Sequence, residues 1–193
     1  MEFTLETPRM VLRRFTPNDA PLLHALDADP EVMRYLSGGT PTPLALIETE
    51  ILPAFIASSA DGRGYWAAHA AEGGAFLGWF GLRPPADPAL REAELGYRLR
   101  REVWGRGLAS EGVAALVALA FGTLALVHLT ATTYEENAAS RRVLEKAGFT
   151  LDRRFRLAAA DAAAPGTFAP GDAEPWPGDD LEYVLSNPGR HQR

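Results

Sequence analysis

The sequence predicts a single α+β domain built around a mixed sheet, and three observations lead to this prediction. The chain has 193 residues, the length of one ordinary domain. Helical patterns come first, and alternating apolar segments suited to an antiparallel hairpin follow them. The remainder alternates strand, helix, strand, helix and strand, an order typical of a sheet that also contains a parallel pair.

The composition excludes several classes of function. Hydrophobic residues make up 47% and charged residues 23% of the chain, which is ordinary for a globular protein. The net charge of −6 gives no support to a nucleic-acid partner. Because the chain has no cysteine, it can hold neither a thiolate zinc site nor an iron–sulfur cluster, and it has no Cys nucleophile. We therefore expect no metal.

Hydropathy and the first residues predict a cytoplasmic protein without a membrane partner. The start is acidic and lacks the basic and apolar regions of a signal peptide. No apolar run reaches the roughly 18 residues that a spanning helix needs. The longest candidate, residues 113–127, is interrupted by Gly122 and Thr123.

Three predicted helices begin with the same device, a capping residue followed by proline. The pairs are Thr16-Pro17, Asp29-Pro30 and Thr42-Pro43. The side-chain oxygen accepts from a free N–H of the first turn, and proline suits the first helical position. The third helix should break or kink near Pro53, which cannot donate a helical hydrogen bond.

Strands are predicted from residue 65 onward, together with two later helices. A Glu-Gly-Gly turn joins the first hairpin. The predicted strands cover residues 65–70, 76–82, 92–99, 127–133, 149–157 and 181–185. One helix begins after Gly107. The other spans residues 137–147, with Gly148 as a stop signal. We expect strands 92–99 and 127–133 to be parallel neighbours, with the helix after Gly107 as their crossover.

The C-terminal third contains a change in composition. Residues 158–180 are rich in Ala, Pro and Gly, which predicts a lid-like loop longer than an ordinary connection. The acidic residues of this stretch could attract a cationic amine, although a solubilising insertion explains them equally well. Residues 187–193 are predicted to form a flexible tail. The whole chain, residues 1–193, is treated as one domain.

Two helix starts carry the candidate chemistry. Gly105-x-Gly107 lies between a strand and a helix, where free amides can bind an anion, although a tight turn alone would also need glycine. Asn137 and Ser140 lie at the start of the next helix, where Asn137 is either a simple N-cap or a ligand contact. Both helix starts follow the carboxyl ends of parallel strands, where ligands gather.

These motifs together resemble the GNAT acyltransferase superfamily, in particular its RimJ/RimL-type N-acetyltransferase branch. The resemblance covers residues 3–157 and rests on segments 104–111 (Trp-Gly-Arg-Gly-Leu-Ala-Ser-Glu), Asn137-x-x-Ser140 and 144–149 (Leu-Glu-Lys-Ala-Gly-Phe). The opening Leu5-x-Thr7-x-Arg9-x-x-Leu12-Arg13 and the strand Glu94-Leu95-Gly96-Tyr97 support it. It implies a mostly antiparallel, twisted sheet with helices on both faces and a splayed central parallel pair.

The resemblance implies acetyl-CoA as the acyl donor. Backbone amides of the glycine loop would hold the pyrophosphate, the Leu99 amide would face the thioester oxygen, and Asn137 would contact the pantetheine or phosphate arm. Arg142 could reach a phosphate of CoA, although a solvated helix face explains it too. The predicted donor residues are Leu99, Trp104, Gly105, Arg106, Gly107, Leu108, Ala109, Ser110, Asn137 and Arg142.

The predicted catalytic residues are Ser140, Glu94 and Tyr134. Leu144 occupies the position where many relatives carry a tyrosine general acid, which favours Ser140 near the sulfur, with Tyr134 as a weaker candidate. Glu94 is the candidate base, although it could equally be a solvated strand residue. The amine would attack the thioester directly, so no protein nucleophile is needed.

The acceptor and two other interpretations stay open. A protein N-terminus and a small-molecule amine are both compatible with the implied fold. One alternative is a catalytically silent acyl-CoA-binding or sensor module. Another is a nucleotide-phosphate-binding domain, which would bind ATP in preference to CoA. An exposed sheet edge could also form a homodimer.

Overall fold

Eight strands form one mixed sheet in the computed structural model, which describes residues 4–59, 61–87, 89–156 and 178–190. The sheet order is β1-β2-β3-β4-β5-β6-β8-β7. The strands are β1 (Leu5–Glu6), β2 (Met10–Arg14), β3 (Gly64–Ala70), β4 (Phe76–Arg83), β5 (Glu92–Leu99), β6 (His128–Tyr134), β7 (Thr150–Phe155) and β8 (Asp180–Ser186). The β5–β6 pair is parallel, and the other neighbouring pairs are antiparallel.

Helices cover both faces of this sheet. They are α1 (Ala20–Asp27), α2 (Pro30–Ser37), α3 (Leu44–Leu46), α4 (Leu52–Ala57), α5 (Leu108–Ala118) and α6 (Ala138–Lys146). A π-helical turn, Ile47–Ile51, joins α3 to α4, and a second one, Leu119–Thr123, extends α5. The predicted mixed α+β sheet with a parallel pair is confirmed.

The alternation of side chains along the strands builds two cores. Trp66, Phe80 and Leu129 are fully buried on the face that α5 and α6 cover. Tyr65 and Trp79 pack on the opposite face, with residues of α1, α2 and α4. Helix α5 lies close to the sheet at Gly112, where a Cβ would come within 2.2 Å of the Phe80 ring. Burying one such large apolar side chain contributes about 1.5–3 kcal/mol.

The two parallel strands separate after a short paired region. Their partners are Glu92 with His128, Ala93 with Leu129 and Glu94 with Thr130. Beyond Glu94, β5 and β6 form no further residue pairs with each other, although β5 continues to Leu99 and β6 to Tyr134. Every residue of both strands is described. The predicted splay is therefore confirmed, and it opens a gap at the centre of the sheet.

The N-terminal part differs from the sequence prediction in its strands. Strands β1 and β2 were not predicted, because they are short and β1 has only two residues. The helical segment after Pro43 does not break at Pro53. The helix continues through Pro53, which directly follows the π-helical turn, an irregularity of the kind that accompanies helix kinks.

A buried ion pair links helix α1 to the centre of the sheet. Arg98 of β5 contacts Asp27 at the end of α1, and both side chains are less than 10% exposed. Thr42 Oγ1 donates to Asp27 Oδ2 at 2.6 Å, so this threonine supports the ion pair and does not cap the following helix as predicted. Removing one partner of such a pair leaves a buried charge uncompensated, which typically costs about 3–5 kcal/mol.

The C-terminal predictions are only partly covered by the described residues. Residues 157–177, which contain most of the predicted lid-like loop, lie outside them, and β8 already begins at Asp180. Asn187 is the first residue of the predicted flexible tail, and it forms two hydrogen bonds with the segment before β6. Its N–H donates to Val127 O at 2.9 Å, and its Nδ2 donates to Leu126 O at 3.0 Å.

In the described ranges, no helix has the length and apolar character to cross a membrane. The same residues contain no group of three or more metal-ligating side chains.

Candidate active site

A cavity of about 800 Å³ lies where β5 and β6 separate. Its wall is formed by the first residues of α5 and α6 on one side of the sheet and by α2 on the other. Most of the predicted site residues line it: Glu94, Leu99, Trp104, Gly105, Gly107, Leu108, Ala109, Ser110, Tyr134, Asn137, Ser140 and Arg142. Arg106 is the one predicted residue that is not among the lining residues.

The glycine loop presents free amides to this cavity. Gly105 and Gly107 have φ of +70° and +79°, a left-handed conformation that favours glycine, and Gly107 is the N-cap of α5. The amides of Leu108, Ala109 and Ser110 lie in the first helical turn, where N–H groups lack intrahelical acceptors. A Cβ added at Gly105 would have no heavy atom of the described residues within 4 Å, apart from its chain neighbours. This open cradle fits the pyrophosphate of a CoA donor.

Arg9 and Glu111 hold this loop from the outside. Arg9 Nε contacts Glu111 Oε2 at 2.7 Å, and Arg9 Nη1 donates to the carbonyl of Arg106 at 2.8 Å. Thr7 Oγ1 donates to Glu111 Oε1 at 2.6 Å. Burial alone would raise the pKa of Glu111, but the bonds from Thr7 and Arg9 outweigh it and lower that pKa below its ordinary value.

The Leu99 amide is aimed into the gap between the strands. Arg100 N–H donates to Leu77 O of β4 at 2.9 Å. Because successive N–H groups of a strand point to opposite sides, the Leu99 N–H points away from β4, toward the separated β6. The carbonyl of Leu99 accepts from Trp104 Nε1 at 2.8 Å, which fixes the end of β5. This geometry suits a donor to a developing oxyanion.

Ser140 lies on the α6 side of the cavity and is held by two neighbours. Its backbone N–H donates to Asn137 Oδ1 at 3.1 Å, so Asn137 is the N-cap of α6. Its Oγ lies 3.0 Å from the hydroxyl of Tyr97. Burial raises the pKa of Tyr97 to about 12, while the hydrogen bond with Ser140 acts in the opposite direction. Leu144, one turn further along α6, is fully buried in the core.

Glu94 lies on the opposite side of the sheet from Tyr97, on the face of α1 and α2. It contacts Arg83, its cross-strand partner on β4, and each side chain is about 30% exposed. The carboxylate therefore borders the cavity while keeping a cationic neighbour. A base at this position can receive a proton from an amine that enters from the α2 side.

Two tyrosines lie close together at the α2 side of the cavity. The rings of Tyr134 and Tyr35 are stacked with their centroids 6.4 Å apart. The Tyr35 hydroxyl donates to the carbonyl of Glu136 at 3.3 Å, which connects α2 with the turn before α6. Tyr134 thus borders the α2 side of the cavity.

The arginines around the site have different roles. Arg142 lines the cavity, whereas Arg141 points to β8 and contacts the Tyr183 hydroxyl at 3.3 Å. Arg100 and Arg101 form ion pairs with Glu102 and Asp29. Lys146, one turn after Arg142, also lines the cavity, and both side chains are exposed. Together they give one face of α6 a positive charge suited to phosphate.

Sequence reasoning missed several residues of the cavity, among them Tyr97, Tyr35, Arg83 and Lys146. The spacing of Arg142 and Lys146, four residues apart on one helix, was a usable signal for Lys146. Tyr97 belongs to a quoted motif, but its contact joins residues 43 positions apart and no local pattern predicts it.

Comparison with known proteins identifies the family of this fold and site. The family model described as "Acetyltransferase (GNAT) domain" matches residues 9–150. The chain therefore belongs to the GNAT acetyltransferases. "FsC-acetyl coenzyme A-N(2)-transacetylase" of Aspergillus fumigatus is 33% identical, covering 79% of this chain and 67% of that protein. "Uncharacterized N-acetyltransferase YoaA" of Bacillus subtilis is 32% identical, covering 79% and 85%.

Solved structures share the same fold. An acetyltransferase from Agrobacterium tumefaciens matches with a TM-score of 0.70 and 29% identity, covering 94% of this chain and 93% of that one. RimL, a ribosomal L7/L12 α-N-protein acetyltransferase solved with coenzyme A, matches with a TM-score of 0.73 and 17% identity, covering 95% and 97%. The predicted likeness to RimL-type enzymes is confirmed at the level of the fold.

Proposed function

We propose that this protein is an acetyl-CoA-dependent N-acetyltransferase that acetylates a primary amine by direct attack in a ternary complex. The observation that carries the proposal is the gap between β5 and β6. The Leu99 N–H, the Ser140 hydroxyl and the Glu94 carboxylate all border this one cavity, which reaches both faces of the sheet. The glycine loop and the first turn of α5 supply a phosphate cradle at its edge.

The reaction needs few groups from the protein. Acetyl-CoA supplies an activated acyl group, and the cavity holds it beside the acceptor, which provides proximity. The amine nitrogen forms a bond to the carbonyl carbon while the carbon–sulfur bond breaks and its electron pair passes to sulfur. The proton lost by the amine goes to Glu94, directly or through water. The Leu99 amide stabilises the oxyanion, and Ser140 lies on the sulfur side.

The acceptor is proposed as an amine that is neutral near physiological pH. An α-amine, with a pKa of about 7.7–8.0, loses its proton more readily than a lysine at about 10.4. The name of the Aspergillus fumigatus relative specifies transfer to an N(2) position, and RimL is an α-N-protein acetyltransferase. We therefore place α-amines, of peptides or small molecules, before lysine side chains.

The first experiment is calorimetric titration with acetyl-CoA, CoA and ATP, followed by thiol-release assays on a panel of amines. The panel contains a peptide with a free N-terminus, its N-blocked form, an amino acid and a polyamine. We expect binding of both CoA species but not ATP, and turnover with a free α-amine. Folded protein that binds neither CoA species would contradict the proposal. Binding without turnover on every amine would identify the silent acyl-CoA-binding module.

The role of Glu94 is tested by Glu94→Gln with a matched control. Glu182→Gln alters another cross-strand ion pair, with Arg153, which lies outside the cavity. Loss of a general base lowers kcat by about a hundredfold or more. We expect this for Glu94→Gln, with unchanged acetyl-CoA affinity, and near wild-type kcat for Glu182→Gln. Equal kcat values in both variants would exclude Glu94 as the base.

A further inference from the structure

Tyr97 and Ser140 are neighbours in the wall of the cavity. It extends from the part of β5 that has separated from β6, and its hydroxyl lies 3.0 Å from Ser140 Oγ. Among the described residues, the Tyr97 hydroxyl is the group that lies within hydrogen-bond distance of Ser140 Oγ. Since Asn137 also holds the Ser140 N–H, both the backbone and the side chain of Ser140 are fixed.

Either hydroxyl can donate in the contact between Tyr97 and Ser140, and the phenol has two acceptors nearby. The Tyr97 hydroxyl is 3.0 Å from Ser140 Oγ and 3.4 Å from the Ser140 carbonyl. That carbonyl lies inside helix α6, where it receives the N–H of the residue four positions later. Ser140 Oγ is therefore the nearer and less occupied acceptor. Because burial keeps the pKa of Tyr97 high, at about 12, the phenol retains its proton at neutral pH.

We propose that Tyr97 is a positioning residue that donates to Ser140 Oγ and leaves the Ser140 proton directed at the sulfur of the acyl donor. This inference rests on the proposed function, because it requires a thioester sulfur at Ser140. A hydroxyl that accepts one hydrogen bond becomes a better donor of the next, so the phenol strengthens the contact to sulfur.

The step balances without transfer of a proton from either hydroxyl. As the nitrogen–carbon bond forms, the carbon–sulfur electron pair passes to sulfur, and the Ser140 O–H donates a hydrogen bond to the resulting thiolate. The amine proton still leaves through the base. Tyr97 remains a neutral phenol throughout; its side chain lines the cavity, and its proposed effect on the reaction is exerted through Ser140 Oγ.

Tyr97→Phe and Tyr183→Phe form a matched pair of variants. Each removes one buried phenol hydroxyl that is bonded to α6, but the Tyr183 hydroxyl contacts Glu145 at 3.0 Å and lies outside the cavity. One hydrogen bond contributes up to about tenfold in rate. We expect Tyr97→Phe to lower kcat about tenfold with acetyl-CoA affinity unchanged within about twofold, and Tyr183→Phe to keep wild-type kcat. Equal losses of kcat in both variants would show that the role of Tyr97 is only structural.

A double-mutant cycle tests whether Tyr97 acts through Ser140. We expect Ser140→Ala and the double variant, Ser140→Ala with Tyr97→Phe, to have the same kcat, because the phenol has nothing left to orient. Multiplication of the two single losses in the double variant would overturn the proposal.

A second readout does not depend on turnover. The absorbance of the CoA thiolate gives the pKa of the bound thiol, which a hydrogen bond from Ser140 should lower. We expect wild-type protein to lower this pKa, and both Tyr97→Phe and Ser140→Ala to return it toward the value of free CoA, by about one unit. CoA that binds with an unchanged thiol pKa in all three proteins would overturn the role of Tyr97 alone. Absence of CoA binding by folded wild-type protein would overturn the proposed function as well.

Discussion

Single residues at this site combine structural contacts with the roles proposed for them in donor binding. Asn137 caps α6 through the Ser140 N–H, and Trp104 fixes the Leu99 carbonyl although nearly half of its surface is exposed. Their roles as helix cap and strand anchor are therefore compatible with donor binding, because each contact leaves other atoms facing the cavity. Substitutions here must be interpreted with separate measurements of stability and of affinity.

Gly107 is the residue at which donor binding can be tested most directly. Gly107→Asp adds a side chain and a negative charge beside the predicted pyrophosphate. We expect the Kd for acetyl-CoA to rise at least tenfold, which corresponds to about 1.4 kcal/mol. Calorimetric titration measures this change.

The control for this variant is Gly73→Asp in the β3–β4 hairpin. Gly73 has φ of +75°, close to the +79° of Gly107, so both variants place an L-residue at a similar positive φ and add the same charge. Gly73 does not line the cavity, and we expect its affinity for acetyl-CoA to be unchanged. An unchanged Kd for acetyl-CoA in folded Gly107→Asp would contradict the placement of the pyrophosphate at this loop.

At the scale of elements, the start of α5 depends on the first strands of the sheet. Glu111 lies in the first turn of α5, and it accepts from Thr7 and Arg9, which lie between β1 and β2. Arg9 also holds the Arg106 carbonyl of the loop. The motif Thr7-x-Arg9 of the opening segment thus positions the glycine loop by contacts that span about a hundred residues of sequence.

Removing the Glu111 charge should weaken this connection in a pH-dependent way. Because the folded state lowers the pKa of Glu111, its contribution to stability is complete above the ordinary pKa and is lost as the pH falls through the lowered value. Glu111→Gln should therefore lower the free energy of unfolding by about 1–3 kcal/mol at pH 7, and by less at about pH 3, because the contribution declines below the ordinary pKa of a glutamate.

Urea denaturation at both pH values measures this difference in the free energy of unfolding. Glu72→Gln, at an exposed carboxylate in the β3–β4 hairpin, is the control and should match wild-type protein at pH 7. A destabilisation by Glu111→Gln that is equally large at both pH values would show that packing, and not charge, explains the role of Glu111.

At the scale of the whole molecule, a central cavity lies between two separate cores. Residues of α2 on one face and of α5 and α6 on the other border the same space, and β5 and β6 are paired only at their beginnings. A ligand in this cavity contacts both helical layers. Binding should therefore stabilise the complete fold rather than one layer.

We expect acetyl-CoA at a hundred times its Kd to raise the free energy of unfolding by about 2.7 kcal/mol. For a domain of this size each kcal/mol raises Tm by about 2–4 °C, which a thermal melt detects. CoA should act similarly, and Gly107→Asp, with its Kd raised at least tenfold, should lose about half of the shift or more at the same acetyl-CoA concentration. An equal rise of Tm with ATP would favour a general nucleotide-phosphate site.

Local patterns in the sequence were enough to predict much of this architecture. The bounds of β5 were predicted correctly, and Gly107 and Asn137 were correctly placed at the starts of two helices. The face of Glu94 and the contact of Tyr97 with Ser140 could not be predicted, because both depend on strand register and on pairs distant in sequence. Strand β2 was missed because five residues carry too little periodicity.

The place of β8 has a consequence for how the protein forms during translation. Residues 180–186 insert between β6 and β7, and Leu181 and Tyr183 complete the core beneath α6. Among the described strands, β8 is the one neighbour of β7, so until β8 leaves the ribosome β7 is unpaired with them and one edge of β6 stays open. A nascent chain that already contains the glycine loop and Ser140 can pack α6 on α5 and β6, but the core beneath α6 is complete only after β8 has been added.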